Sequence, residues 1–318
     1  GIDAILEKPG VALWMEMGLG KTVVTLTAID QLIYDRLEID KVLIVAPKKV
    51  AEATWQDEAA KWGHLRHLRI STVLGTEKQR KAALAAQADI YIINRENVPW
   101  LVHTLGWNFD MVVLDEASSF KNHAAQRFKA LKAVRPRIHK VVELTGTPRP
   151  NSLLDLWAQI YLLDQGERLG RYITHYRRDY FWPTEYSYEP RDGAAEAVES
   201  RIKDIVLSFK AADHLTLPEK ITDDIPVVLE KPAKAAYKKL EKNYLLEVDG
   251  ETITAQQAAT LTVKLLQLCN GSLYAEDGTV HQIHRCKLDA FDELIDALDG
   301  QRALVFYGFR FDEEQLTE

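Results

Sequence analysis

The chain has 318 residues, a net charge of −7, 47% hydrophobic and 27% charged residues. This allows about two domains with a sizeable core and excludes a disordered chain. Only Cys269 and Cys286 are present, which excludes a disulfide framework and leads us to expect a reducing, cytoplasmic compartment. The acidic balance excludes a surface coated in basic residues, but nucleic-acid affinity depends on local Lys/Arg stripes, so that question stays open. No apolar run of membrane-spanning length and no signal-peptide pattern is read. Opening at Gly1 rather than Met, the chain is expected to be a piece of something longer.

The first informative stretch is Met15-Glu16-Met17-Gly18-Leu19-Gly20-Lys21-Thr22, followed by an apolar run over 23–29. A glycine-flanked turn that delivers Lys-Thr into a helix start suits a nucleoside triphosphate. Backbone N–H groups cradle the phosphates, the lysine offsets β/γ charge, the threonine hydroxyl holds Mg²⁺ and the helix dipole adds to the field. The pattern G-x-x-x-x-G-K-[ST] is incomplete, because Met15 stands at the first glycine position; an ordinary helix start is the alternative.

Residues 23–34 then read as a helix and 41–47 as a buried strand ended by Pro47, and a second helix carries Ala51, Trp55, Ala59 and Trp62 on one stripe. Short apolar strands recur at 70–74, 89–93, 111–114 and 141–144, separated by helical or polar stretches that include 77–87 and 124–134. Such alternation predicts an α/β fold whose parallel sheet is covered on both faces. Ligands in these sheets bind at the carboxyl ends of the strands.

Two strands run into chemistry. In Met111-Val112-Val113-Leu114-Asp115-Glu116-Ala117-Ser118, an aspartate after a phosphate loop can hold the Mg²⁺ hydration shell while the glutamate orients or deprotonates the attacking water. The plainer reading is a strand ending in a polar turn. In Val141-Val142-Glu143-Leu144-Thr145-Gly146-Thr147-Pro148, a hydroxyl-rich turn can sense phosphate and couple it to a neighbouring domain, although the same residues are good turn formers. Between the two, Lys121, Arg127, Lys129, Lys132, Arg135, Arg137 and Lys140 occur with no acid. That run suits phosphate-backbone contacts, with a solvated helix face as the alternative.

Together these stretches resemble the helicase motifs of the Swi/Snf-type branch of superfamily two ATPases. Met17 to Thr22 resembles that branch's motif I, in which the first glycine is commonly absent. Leu43-Ile44-Val45-Ala46-Pro47 with Trp55-Gln56-Asp57-Glu58 and Lys61-Trp62 resembles motif Ia and its helix, and Ile92-Ile93-Asn94-Arg95-Glu96 motif Ib. Asp115-Glu116-Ala117-Ser118 resembles motif II, Lys121-Asn122 the Lys-Asn pair that follows it, and Leu144 to Pro148 with Asn151 motif III. Leu217-Pro218-Glu219-Lys220, Leu265 to Gly271, and Ala303 to Tyr307 resemble the lobe junction, the helix ending in Cys-Asn, and motif IV. Serine closing motif II, and Asn-Gly after Cys269, point to the small bacterial and bacteriophage branch.

The resemblance implies a RecA-like P-loop NTPase lobe over 1–165, a mostly helical insertion over 166–283 and the beginning of a second RecA-like lobe over 284–318. It implies ATP and Mg²⁺ as cofactors and double-stranded DNA as partner. Lys21, Asp115 and Glu116 are then catalytic. Met17, Gly18, Leu19, Gly20, Lys21, Thr22, Thr145, Gly146 and Thr147 hold the nucleotide, with Thr22 and Asp115 toward the metal. Lys48, Lys49, Asn94, Lys121 and Asn122 face the nucleic acid. No glutamine motif precedes the loop, and motifs V and VI with their arginine fingers are not found in these residues. Since arginine fingers are worth about 10³ to 10⁵ in rate, this chain alone is expected to bind ATP and hydrolyse it poorly. A strand-separating helicase or restriction-type translocase, and a non-catalytic nucleotide-binding scaffold, are the rival readings.

In the remaining chain, 168–191 interleaves arginines with aromatics. This pattern suits single-strand binding, yet Tyr172, Tyr176 and Tyr180 also form one helix face, and packing is the preferred reading. Lys231-Pro232 opens a helix with Tyr237, Leu240 and Tyr244 on one side, and Thr254 to Gln257 resembles a capping box for a helix stopped by Gly271. Cys269, His281, His284 and Cys286 lack a recognised zinc spacing and read as loop and lobe-edge residues. An amphipathic helix over 289–299, with Leu288, Phe291, Ile295 and Leu298 inward, and a strand over 301–307 complete the expectation.

Overall fold

The computed structural model describes residues 1–104, 106–146, 152–185, 187–213, 222–243, 245–248, 251–254, 258–298 and 302–317. Thr147, Pro148, Asn151, Tyr244, Gly300, the 217–220 junction and most of the 254–257 capping box lie outside the described residues. By compactness the chain divides into Gly1–Pro218 and Glu219–Glu318.

The first unit runs α1 (Ile2–Glu7), β1 (Gly10–Met15), α2 (Lys21–Asp30), β2 (Val42–Ala46), α3 (Trp55–Lys61), β3 (Ile70–Val73), α4 (Glu77–Ala85), β4 (Ile90–Asn94) and α5 (Val98–Thr104). It continues with β5 (Met111–Asp115), α6 (Gln126–Val134), β6 (Lys140–Thr145), α7 (Leu156–Asp164) and α8 (Ile173–Tyr180), then a small hairpin of β7 (Phe181–Pro183) and β8 (Tyr188–Pro190), α9 (Ala194–Ile202) and β9 (Val206–Phe209). Seven strands form one sheet in the order β3-β4-β2-β5-β6-β1-β9, and every pairing in it is parallel. Period-2 alternation sends Leu43, Val45, Val112 and Leu114 to one core and Ile44, Val113 and Leu144 to the other. The parallel α/β sheet expected from the sequence is what forms.

Two of its strands escape the sequence reading. The run Val11-Ala12-Leu13-Trp14-Met15 before the loop is β1, which lies between β6 and β9. Strand β9 falls in the stretch read as a helical insertion and pairs with β1. From 166 to 283, helices alternate with short strands. The aromatic stripe of α8 splits: Tyr176 is buried, its hydroxyl donating to Leu153 O at 2.7 Å, while Tyr172 is exposed.

The basic run before β6 is largely structural. Arg135 is buried and donates to Ile138 O at 2.8 Å, to Leu163 O at 2.6 Å and to Leu162 O, which satisfies the C-terminal carbonyls of α7. Lys140 does the same for α1, donating to Leu6 O at 3.0 Å and Lys8 O at 2.9 Å. Lys132 lies 4.3 Å over the Tyr161 ring and Arg127 donates to Ser119 O at 2.8 Å. Lys121, Lys129 and Arg137 stay exposed, so the run is not one solvent-facing stripe. Orphan helix carbonyls and aromatic faces engage its other cations.

Glu143 sits in β6 between Ala12 and Leu114, with both carboxylate oxygens buried and no hydrogen-bond partner among the described residues. Burial, and then the nearby Asp164 charge, push its carboxyl well above the usual range, against the pull of Arg135. A raised folded-state value means that the stability it leaves intact in acid is lost as pH climbs from the ordinary carboxyl range toward the folded value. Glu143→Gln should therefore melt above the wild-type chain at pH 8, with the gap closing at pH 5. Equal melting at both would refute the assignment.

The second unit runs α10 (Lys231–Asn243), the hairpin β10 (Leu245–Val248) and β11 (Glu251–Thr254), α11 (Ala258–Asn270), the hairpin β12 (Ser272–Tyr274) and β13 (Val280–Gln282), α12 (Cys286–Ala297) and α13 (Arg310–Thr317), and α10, α11 and β12 bring Leu240, Leu268 and Leu273 into a small core. Gly271 ends α11 at φ +112°, where a Cβ would meet His284 O at 2.6 Å. The His284 ring pairs with Leu268 O at 2.8 Å and accepts the Cys286 N–H at 3.2 Å.

Asp312 Oδ2 accepts from Asn270 Nδ2 at 2.9 Å and Phe309 N at 2.9 Å, tying α13 to the end of α11. Two expectations fail here. On α12 only Leu288 is buried and Ile295 is exposed. Residues 302–307 do not form a strand: no described strand lies beside them to complete a ladder, and Leu304 and Phe306 are exposed. No helix among the described residues is long and apolar enough to cross a membrane.

Candidate active site

Because the sheet is parallel, β1, β2, β4, β5 and β6 all deliver their carboxyl ends to one edge. Strand β1 ends at Met15, and the turn that follows has Gly18 at φ +83° and Gly20 at φ +73°, conformations that glycine adopts at little steric cost. Gly20 caps the ten-residue α2, whose unpaired N–H groups and positive dipole end therefore open onto the turn. Lys21 and Thr22, both half-buried, occupy its first turn. The Lys21 ammonium donates to Met15 O at 2.7 Å, and Thr25 Oγ1 donates to Lys21 O at 2.8 Å.

Strand β5 brings Asp115 and then Glu116, which is held left-handed at φ +52°, ψ +58°. For a residue with a Cβ this costs about 1–2 kcal/mol, a strain typical of functional turns. The Glu116 N–H donates to Asp115 Oδ1 at 3.1 Å and the Trp55 indole N–H to Asp115 Oδ2 at 3.1 Å. Burial, the largest influence, holds the Asp115 carboxyl above its ordinary value. The Trp55 hydrogen bond lowers it, the Glu116 charge raises it, and the Glu116 N–H and Lys21 lower it.

Strand β6 ends at buried Thr145, and Gly146 follows. A Cβ on Gly146 would lie 3.5 Å from Lys21 Nζ, 3.8 Å from Met17 Cγ and 4.0 Å from Glu116 Oε1. Three stretches far apart in sequence thus meet around one glycine, with an ammonium, a carboxylate and a helix N-terminus converging. Such a set can hold a polyanionic phosphate chain and its divalent metal.

The residues expected to face nucleic acid follow the same strand ends. Lys48 and Lys49 are exposed just after β2. Asn94, at the end of β4, is buried; it donates to Glu96 Oε2 at 3.0 Å and accepts from Asn97, so its amide is spent on the local turn. Lys121 is exposed, 3.5 Å from the Asp155 carboxylate, and Asn122 Oδ1 accepts the Ala124 N–H at 2.9 Å. Sequence reasoning missed the part of Trp55. Its spacing assigns it to a helix stripe, and nothing in that pattern shows that the indole nitrogen reaches Asp115.

The SNF2-related domain family matches residues 7–272. A protein of Acyrthosiphon pisum secondary endosymbiont phage 1, named putative protein p41, is 36% identical across 100% of this chain and 72% of its own length. This agrees with the bacterial and bacteriophage branch read from motif II. An uncharacterized ATP-dependent helicase of Mycoplasma genitalium is 26% identical over 92% of the chain, which spans only 27% of that protein. Among solved structures, the Sulfolobus solfataricus SWI2/SNF2 ATPase core in complex with dsDNA superposes with a TM-score of 0.56 at 22% identity, covering 96% of this chain and 64% of that one. That likeness assigns the RecA-like fold. A family match that extends over most of its length shows that the chain belongs to the SNF2-related family of helicase-like ATPase domains.

Proposed function

We propose that the chain is the ATP-binding motor lobe of a DNA-dependent ATPase that translocates on double-stranded DNA. The observation that carries this reading is the meeting of Lys21, Glu116 and Gly146 at one point of the sheet edge. In this reading the N–H groups of 17–22 and the Lys21 ammonium bind the triphosphate, Thr22 and Asp115 hold the Mg²⁺ shell, and Glu116 takes the proton of the attacking water. Thr145, Gly146 and Thr147 link nucleotide state to DNA, whose phosphates meet Lys48, Lys49 and Lys121. The bound metal ion would offset charge on the phosphate oxygens. Duplex DNA as the track is supported by the archaeal SWI2/SNF2 ATPase core, which was solved in complex with dsDNA.

The test is ATP hydrolysis with no nucleic acid, single-stranded DNA, duplex DNA and RNA. Stimulation by duplex DNA is expected, with the logarithm of DNA affinity falling against the logarithm of salt concentration at a slope of about −0.9 for each phosphate neutralised. Stimulation by RNA alone, or unwinding of forked DNA, would overturn it.

A further inference from the structure

Trp55 is 1% exposed, opens α3, and sits in the core that also contains Ala51, Ala59 and Leu65. The turn before it, Val50–Thr54, is a π turn. Residues spaced by four drift about 40° per step around an α-helix of 3.6 residues per turn. A widened turn offsets that drift and keeps Ala51, Trp55 and Ala59 all inward. From this inward position the indole nitrogen donates to Asp115 Oδ2.

We infer that Trp55 is a positioning residue for Asp115, its indole N–H fixing the carboxylate that receives the divalent metal of a bound nucleotide. The inference rests on the ATP reading above. Each Asp115 oxygen has its own donor, Glu116 N–H on Oδ1 and Trp55 Nε1–H on Oδ2, both at 3.1 Å. With both in place the carboxylate cannot turn about its last bond without losing one. The indole N–H is a donor only, so it always presents a hydrogen to the oxygen. The Glu116 N–H restrains Oδ1 through the chain itself. Trp55 supplies the restraint from a different element.

The experiment uses the whole 318-residue chain, Mn²⁺ as the metal probe and a non-hydrolysable ATP analogue, with bound Mn²⁺ read by loss of the free-ion paramagnetic resonance signal. In Trp55→Phe, Mn²⁺ affinity of the nucleotide complex should fall about 10- to 100-fold, the usual cost of removing a partner of a metal ligand, while nucleotide affinity without divalent ion stays within about twofold. Circular dichroism melting establishes that the variant is folded. If Trp55→Phe does not fold, a benzothienylalanine at 55, which keeps the two-ring shape and replaces only the N–H by sulfur, takes its place with the same expectation. Unchanged Mn²⁺ affinity in either folded variant overturns the role of Trp55 alone. A wild-type chain with no nucleotide-dependent Mn²⁺ site overturns both this inference and the ATP reading.

Discussion

Glu116→Gln should bind ATP like the wild-type chain and lose about 10²- to 10⁴-fold in single-turnover hydrolysis, the range a positioned general base supplies. The amide matches the carboxylate in shape and keeps the left-handed turn at φ +52°, but it has no site to take a proton from water. Lys21, Asp115 and the open N-terminus of α2 are untouched, so the phosphate-holding part of the site remains. Binding is followed with a fluorescent ATP analogue and hydrolysis by quenched release of phosphate. Equal hydrolysis rates for the two proteins would remove Glu116 from its proposed role. A parallel loss of nucleotide binding would instead make it a structural residue of the loop.

Gly10→Ala should destabilise the fold. A Cβ there would lie 2.3 Å from Leu163 O, backbone against side chain, with no flexible group to move aside. The carbonyl is already held by Arg135 at 2.6 Å, and β1 is paired on one side with β6 and on the other with β9. We expect a loss of about 1–3 kcal/mol, the usual cost of overpacking, and a melting temperature lower by roughly 2–4 °C for each kcal/mol. Gly10 lies at the opposite end of β1 from the loop, so nucleotide affinity below the transition should change little. Unaltered melting would mean that α7 can slide on the sheet.

Some of this was legible because the signal is local. Apolar runs of strand length, separated by helical stretches, specify a parallel sheet by their own burial. A Gly-Leu-Gly-Lys-Thr turn and a strand running into Asp115-Glu116 carry their chemistry in consecutive residues. Strand β9 was not legible: Val206–Phe209 is four residues long and its ladder partner is β1, far away along the chain. The basic run misled for a similar reason, since Arg135 and Lys140 are cationic in sequence but serve as caps for the carbonyls of α7 and α1. The strand expected at 301–307 depends on neighbours that no pattern within it can report.

The sequence by itself determined the sheet's type, the glycine-rich turn before α2 and the acidic pair at the end of β5, since each is written in residues adjacent along the chain. Tertiary structure alone decided that Gly146 would stand 3.5 Å from the Lys21 ammonium and that Trp55 would donate to Asp115 at 3.1 Å. Those meetings depend on strand order and helix phase, which are settled by how β1, β5, β6 and α3 pack together, and packing is a property of the whole core.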